Sequence, residues 1–361
     1  MLLIIALSAV HVMLAVQSRS RIDSDVAQVT SAQQGVRYLR ATIDLLSELT
    51  RLRAQAVRNT PANPGALQRV VTELDALDGR EGEELGLGPR WSGLRPKVGQ
   101  LIDDMPTGRQ ALDRYGEVLT LAVDMAAKVV RLAHLTSSAD SYVNYLADAS
   151  FVQLPIVLIG ANLVADQTYL GGGSGSAALV IAVTRAQVAA AAAAIDAGLR
   201  DATGAASHAA LVEPLDSFRD TVSRFGDTAP AGTAGTRATA ANAVLVQDAS
   251  LAVADAMSKQ LDRLLKDRVR TLDRLRQQQI ALVIGGVLVG LLLLWWAMPG
   301  RERESADDRD DEVGADPTAD IAAVSVAMPE VDARDLLAAE ELLRVGRGVR
   351  PRSGDDELTD A

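Results

Sequence analysis

The chain contains no cysteine among its 361 residues, and aromatic residues make up only 3% of it. The absence of cysteine excludes disulfides, thiolate metal sites and cysteine nucleophiles. The scarcity of aromatic side chains argues against a sheet core, which draws on β-branched and aromatic residues. Apolar residues make up 48% of the chain, and most of them are Ala, Val and Leu. This composition predicts an all-α fold of helical bundles.

The chain also lacks an excess of positive charge. Its formal net charge is −11; residues 299–361 hold 18 acidic and 8 basic side chains, a net of −10, which leaves −1 for the first 298 residues. The body offers no basic field to a phosphate backbone, and the acidic tail would repel one. We therefore expect no nucleic-acid partner.

Motifs of catalysis and of metal binding are missing as well. The sequence has no GxSxG, no HExxH and no P-loop, and its three histidines (His11, His134 and His208) lie on separate segments without ligand spacing. The glycine-rich segment 171–175 lacks the lysine and the strand of a phosphate-binding loop, so we interpret it as a link between two helices. The sequence predicts no enzymatic activity, no metal and no cofactor.

Two apolar segments bracket the chain. Residues 280–298 are 19 residues without a charge, just long enough to cross a hydrocarbon core, and include the interfacial pair Trp295-Trp296. The alternative is a buried core helix. Residues 1–16 are apolar but short, and a start upstream of Met1 is a hypothesis that would supply the missing length. We predict a transmembrane helix at each segment, which places both termini on one side of the membrane.

The segment between the two apolar stretches has helical spacing of apolar residues, broken by Pro and Gly. We predict two helical-bundle modules, 20–137 and 138–279, although one double bundle would give the same pattern. A heptad seam in 240–279 leads directly into the second apolar segment; its members are Leu251, Leu265 and Leu272 at one position and Leu261 and Leu275 at another. Such a helix could carry a small displacement into the bilayer, or simply pack.

Part of this segment resembles a known family. Residues 45–56 (LLSELTRLRAQA), Trp91 and residues 137–155 (SSADSYVNYLADASFVQLP) are similar to the ligand-binding region of bacterial nitrate/nitrite-sensing-type receptors and related chemoreceptors and hybrid histidine kinases. The resemblance covers about residues 20–280. Thr50, Leu52 and Ala54 stand where the family has Gln, Glu and Gly, and no output domain is recognisable in residues 299–361.

The resemblance implies an extracytoplasmic bundle, a homodimer and a small anion as ligand. Arg51 and Arg53 match the arginines that such domains direct at an anion, and Arg185 is the corresponding residue of the second module. Side chains at i and i+2 of a helix point about 200° apart, however. In the alternative reading, one of the two arginines pairs with Glu48 and the other lies on a solvated face.

The acidic tail, residues 299–361, has the composition of a mostly disordered segment. Within it, residues 331–345 fit a short amphipathic helix whose face of Leu336, Leu337 and Leu343 would dock on a cytoplasmic protein. The alternative is a tail that only confers solubility.

Together these features predict a sensory or receptor-like protein of the cell membrane with two spans. Its extracytoplasmic bundle would bind a ligand or a partner and signal to the cytoplasmic tail. The rival prediction is a structural or assembly protein of the cell envelope without a small-molecule ligand, whose bundle is a spacer. The family likeness is an analogy of fold, and function has to be argued from a site.

Overall fold

The structure, a computed structural model, describes residues 2–136, 140–171, 175–201, 209–228 and 232–297. Within these ranges the side chains of residues 2–19, 200, 201, 291 and 293–297 are not described. The tail, with its predicted docking residues Leu336, Leu337 and Leu343, lies outside the described residues.

All regular elements of the described residues are helices, and no strand occurs among them, which confirms the predicted all-α fold. The helices are α1 Leu2–Val57, α2 Gly65–Leu77, α3 Gly88–Asp104, α4 Gly108–Leu132, α5 Ser141–Asp148, α6 Leu154–Tyr169, α7 Ser176–Asp201, α8 Ala209–Asp227 and α9 Gly232–Ala297. A π-helical turn, Asp78–Gly82, follows α2, and a second one, Ala149–Gln153, joins α5 to α6.

Local sequence explains where several helices begin and end. Asp140 caps α5, because its carboxylate accepts a hydrogen bond of 2.9 Å from the backbone N–H of Tyr142. His134, just after α4, takes a left-handed backbone conformation with φ 54°. The N–H of the next residue, Leu135, donates to the carbonyl of Val130, as in a Schellman ending.

The helices run up and down in two groups. The first group contains α1 to α4, and the second contains α5 with α6, α7, α8 and α9. Gly35 of α1 lies directly against Ala133, the residue that follows α4, so that a side chain at position 35 would overlap it. Gly160 makes a similar close approach between α6 and α7. The division into modules 20–137 and 138–279 stays a prediction.

Helices α1 and α9 join the two groups along a long antiparallel contact. Gln247 of α9 bonds to Ser47 of α1, and at the other end Asp25 and Arg268 line the same groove. In the predicted seam of α9, Leu261, Leu265 and Leu272 are buried and Leu251 is partly buried, whereas Leu275 is exposed. One hydrophobic cluster extends through both groups, and residues 1–299 form one compact unit.

Two helical stretches of the described part are long and apolar enough to cross a membrane, judged by length and composition alone: 141–169 and 176–199. Neither stretch coincides with the spans that the sequence predicts, residues 1–16 and 280–298. The first, which is α5 and α6 together, is 67% buried among the other helices, as expected for the core helix of a bundle, and the second, in α7, is only 28% buried.

The predicted second span continues α9 without a break as far as Ala297. Its described apolar side chains are exposed; for example, Leu282 is 74% exposed, Leu288 60% and Leu292 66%. Residues 280–290 and 292 are therefore not part of a helix that is buried in this unit. The first predicted span, residues 1–16, lies in helix α1 from Leu2 onward, but its side chains are outside the described set.

Candidate functional site

Arg51 lies on the outer side of α1 and pairs with a residue of its own helix. Its guanidinium bonds to Glu48 at 2.7 Å and to Gln55 at 3.2 Å. It also lines an open cleft of about 430 Å³ that contains Arg69 and the start of α2 at Gly65. The alternative reading of Arg51, a pair with Glu48, is therefore the arrangement observed.

Arg53 points the other way and is fully buried, with 1% of the residue exposed. Its Nε bonds to Oδ2 of Asp166 on α6 at 2.9 Å, and its Nη2 lies 3.4 Å from the carbonyl of Ile159. Arg58 reaches the other carboxylate oxygen of Asp166 at 3.4 Å. Arg53 therefore does not lie on a solvated face, and it shares no pocket with Arg51. This agrees with the angle of about 200° between side chains at positions i and i+2 of a helix.

We call Arg53, Arg58 and Asp166 the buried charge cluster. Burial raises the pKa of Asp166, while the two guanidiniums act in the opposite direction. Burial also lowers the pKa of Arg53, and Asp166 counteracts this effect. The cluster holds two positive charges and one negative charge. The positive charge in excess lies at Arg58. Its side chain is 22% exposed, and its Nε has no hydrogen-bond partner among the described residues.

A neutral polar network lies next to this cluster, between α1, α6 and α9. Asn162 donates a hydrogen bond of 3.2 Å to Oε1 of Gln247, whose own amide nitrogen donates to the hydroxyl of Ser47 at 3.2 Å. All three residues are at least nine-tenths buried. The network therefore ties the two long helices to α6 through directional bonds at one height of the core.

Arg185 of α7 lies in the second helix group. Its guanidinium stands 5.7 Å from the ring centre of Phe225 and donates to the carbonyl of Thr228 at 2.8 Å. Its partners are thus the end of α8, whereas those of Arg53 are on α6. The contacts of Arg51, Arg53 and Arg185 give no common site for the three arginines.

A second groove lies at the opposite end of the core, where α1, the link from α4 to α5, and α9 meet. It has a volume of about 240 Å³, an apolar floor that includes Val29 and Leu265, and a polar rim that includes Asp25 and Arg268. Within the described ranges, no three His, Asp or Glu side chains gather as a metal site would require.

The sequence interpretation missed Asp166, Arg58, Asn162 and Gln247. The sequence did contain a signal for two of them. Asn162 is a polar residue within the otherwise apolar stretch 154–165, and Asp166 follows this stretch directly. A polar residue on a buried helix needs a buried partner. The identity of that partner, 113 residues away in the case of Arg53, is set by the fold and not by local sequence.

No protein-family model matches the chain, and neither the curated proteins nor the solved structures contain a match to it. The resemblance to nitrate/nitrite-sensing-type receptors therefore remains a prediction.

Proposed function

We propose that the chain is a receptor-like membrane protein with two spans, in which α1 and α9 carry a displacement from the helical unit into the bilayer. The observation that carries this proposal is the continuity of α9. It is a single helix of 66 residues that runs through the core and continues into the exposed apolar stretch from residue 280 onward. An exposed apolar surface of this length needs a cover, and a hydrocarbon core fits its length.

The pairing of α1 with α9 supports two spans on the same side of the unit. Ser47 is level with Gln247, and Asp25 is level with Arg268. The two points of contact are separated by nearly the same number of residues in both antiparallel helices, and each helix rises 1.5 Å per residue. The N-terminal part of α1 and the C-terminal part of α9 therefore leave the core at the same end. The apolar residues 1–16 and 280–298 would then enter one membrane side by side, with both termini across it from the bundle. The family resemblance alone supplies the orientation, with the bundle extracytoplasmic and the tail cytoplasmic.

The contact between α1 and α9 also suits a helix that shifts. The bonds of Gln247 to Ser47 and Asn162 have lengths of 3.2 Å and are made by flexible side chains. A displacement of one or two ångström is within the range of known shifts between packed helices. These polar partners can exchange during such a shift, whereas the buried leucines of α9, such as Leu261 and Leu265, would have to repack.

A small anion is the ligand that we propose for the far end of α1. The buried charge cluster has one positive charge in excess, and Arg58 is its point of access to solvent. An oxyanion on Arg58 would compete with Asp166 for the guanidiniums, and so change the contact of α1 with α6. The nature of the anion, of the nitrate or nitrite type, rests on the family resemblance alone.

Topology is the first test, and it makes use of the absence of cysteine. Ser92, exposed on α3, and Ser353, in the tail, are replaced by cysteine one at a time, and intact cells are treated with a membrane-impermeant maleimide. We expect the Ser92→Cys protein to be labelled and the Ser353→Cys protein to be labelled only after lysis. The reverse result would refute the receptor topology and favour a cytoplasmic scaffold.

Thermal unfolding of the detergent-solubilised chain tests the ligand. At a nitrate or nitrite concentration 100 times the Kd, binding would stabilise the folded form by about 2.7 kcal/mol. An Arg58→Gln variant should lose this gain, while an Arg51→Gln variant, changed in the open cleft, should keep it. If no anion stabilises the wild type, the anion part of the proposal fails.

One observation favours the rival function, a structural or assembly protein. Asp166 already neutralises Arg53, which leaves this buried arginine without need of a ligand. In that case the cluster only fixes the position of α6 against α1. The anion titration distinguishes the two functions, because a scaffold would show the same response to each salt in the wild type and in the Arg58→Gln variant.

A further inference from the structure

Helix α7 presents a long face that no other described residue covers. Only two charged residues occur between 176 and 199, and both are used within the bundle. Arg185 stacks on Phe225, and Asp196 pairs with Arg219 at 2.7 Å. The uncovered face therefore has no charge over about six helical turns. Its larger members are well exposed, with Leu179 at 66%.

One row among the uncovered residues of α7 has heptad spacing. Steps of four and three residues connect Leu179, Val183, Ala186, Ala190, Ala193 and Ala197, all of them exposed, and we call this set the outer seam. A second row with the same spacing lies on the opposite side and is buried against α6 and α8: Ile181, Thr184, Val188, Ala191 and Ile195. Alternating steps of this kind are the signature of one helix packed along another.

Lipid is not a suitable cover for the outer seam. Helix α8 lies beside α7 at the same height, because Asp196 contacts Arg219 and Arg185 reaches the end of α8 at Thr228. Over this height α8 exposes a row of charged side chains: Asp216, Arg219, Asp220 and Arg224. Charges are excluded from a hydrocarbon layer by several kcal/mol each. The seam therefore needs a protein partner in water.

We propose that the outer seam packs in parallel against the outer seam of a second copy of this chain. Helix α7 runs toward the end of the unit at which α9 leaves it, since Gly198 touches Tyr145 and Gly160 touches Val188. Two copies anchored in one membrane share their orientation, and a two-fold axis along the membrane normal makes their α7 helices parallel. The parallel arrangement and the sufficiency of so small a contact rest on the membrane topology proposed above, whereas the exposure and spacing of the seam do not.

The chemistry of the seam fits a second copy. Ala186, Ala190 and Ala193 let two helix backbones approach closely, and an uncharged face has no like charges to repel its own image. The outer seam is about 27 Å long from Leu179 to Ala197, and a contact about 10 Å wide on each α7 would bury roughly 540 Å² in total. Specific soluble complexes bury about 1,200 Å² or more. The α7 pair is thus sufficient where anchoring in one membrane already holds the copies at a high local concentration.

Disulfide cross-linking of the full chain in native membranes tests this pairing. Single cysteines are placed in the seam at Val183, Ala186 or Ala190, with Ser217→Cys on the exposed face of α8 as the matched control. In a parallel pair, residues at seam positions lie close to their own copies, within the reach of a disulfide. We expect mild oxidation to give covalent dimers from all three seam variants and not from the control.

Several outcomes would overturn the proposal. Cross-linking at only one of the three positions would indicate antiparallel or crossed helices. Seam cysteines that react freely with maleimide and do not cross-link would show an open face. Seam cysteines protected from maleimide in membranes without cross-linking would show another partner. An added Ala193→Glu change, exposed in the monomer, should lower cross-linking at Ala186→Cys by about tenfold or more, because like charges would meet in the seam.

The same membranes separate this proposal from the proposed topology. Alkaline carbonate extraction reports whether the chain is an integral membrane protein, independently of any cysteine in α7. A chain that is extracted and still cross-links would refute the membrane anchoring and keep the seam. A chain that stays in the membrane and gives no covalent dimer would refute the seam and keep the anchoring.

Discussion

Replacing Asp166 by asparagine would remove the only negative charge of the buried charge cluster and keep the shape of the side chain. Arg53 would remain, with 2% of its side chain exposed and no carboxylate to balance it. Removal of one partner of a buried ion pair typically costs 3–5 kcal/mol, because the remaining charge is left uncompensated in a medium of low polarity. We expect a cost of about 3 kcal/mol, since the asparagine oxygen can still accept one of the two hydrogen bonds.

Thermal unfolding of the full chain in detergent, followed by circular dichroism, measures this cost. For a large unit, 1 kcal/mol corresponds to about 2 °C or slightly more, so the midpoint should fall by roughly 6 °C or more. The matched control is Glu48→Gln, which breaks the pair with Arg51, whose side chains are 23% and 35% exposed. Partly exposed pairs contribute at most about 1 kcal/mol, so this change should shift the midpoint by about 2 °C or less.

A double variant completes the argument about Asp166. In Arg53→Leu with Asp166→Leu, neither charge is left in the core, and apolar replacement of a buried pair is often neutral. The double variant should therefore be more stable than Asp166→Asn alone. Equal effects of Asp166→Asn and Glu48→Gln would refute the view that burial of Arg53 creates the dependence on its carboxylate.

The remaining predictions concern packing, the polar network and acid stability. Gly160→Ala would place a methyl group 2.7 Å from a side-chain carbon of α7, and we expect it to lower the free energy of unfolding by about 1–3 kcal/mol in the same thermal melts. In the control Gly116→Ala, the new methyl group in α4 has no atom within 4 Å, and we expect the free energy of unfolding to rise by up to about 1 kcal/mol. Gln247→Leu removes the bond to the buried Ser47 hydroxyl, while the amide nitrogen of Asn162 keeps its bond of 3.0 Å to the carbonyl of Leu158. Denaturant unfolding should show a loss of about 1–3 kcal/mol; no loss would mean that the network does not hold α9 in place. Burial raises the pKa of Asp75, but hydrogen bonds from Arg95 and Trp91 outweigh it and hold this pKa below the ordinary 3.8. The stabilisation by this carboxylate should be complete at neutral pH and be lost as the pH falls below about 3.8, seen as a change in tryptophan fluorescence that Asp75→Asn abolishes.

The sequence allowed the helical class to be predicted, because apolar spacing and Pro/Gly breaks are local signals. The heptad seam of α9 was also readable for Leu261, Leu265 and Leu272, which are buried. Leu275 belongs to the same pattern but is exposed. Periodicity alone does not show which members of a seam are buried.

The candidate site was less predictable, since it depends on pairs of residues far apart in the chain. The helical angle between Arg51 and Arg53 already indicated that they face different ways, and the structure places them accordingly. Which of them is buried follows from the position of Asp166 on α6, 113 residues from Arg53. The outer seam of α7 was hidden for a different reason: in a helix that is almost entirely apolar, composition does not distinguish the packed side from the free side.

The pairing of the first long helix with the last one has a consequence for biosynthesis. Ser47 meets Gln247, which lies 200 residues later in the chain. At 5–20 residues per second, a ribosome needs about 10–40 s to make the intervening segment. For that interval the side of α1 that will face α9 has no partner, and closing so long a loop is a slow step in folding. Until α9 is made, this side of α1 is therefore open to aggregation.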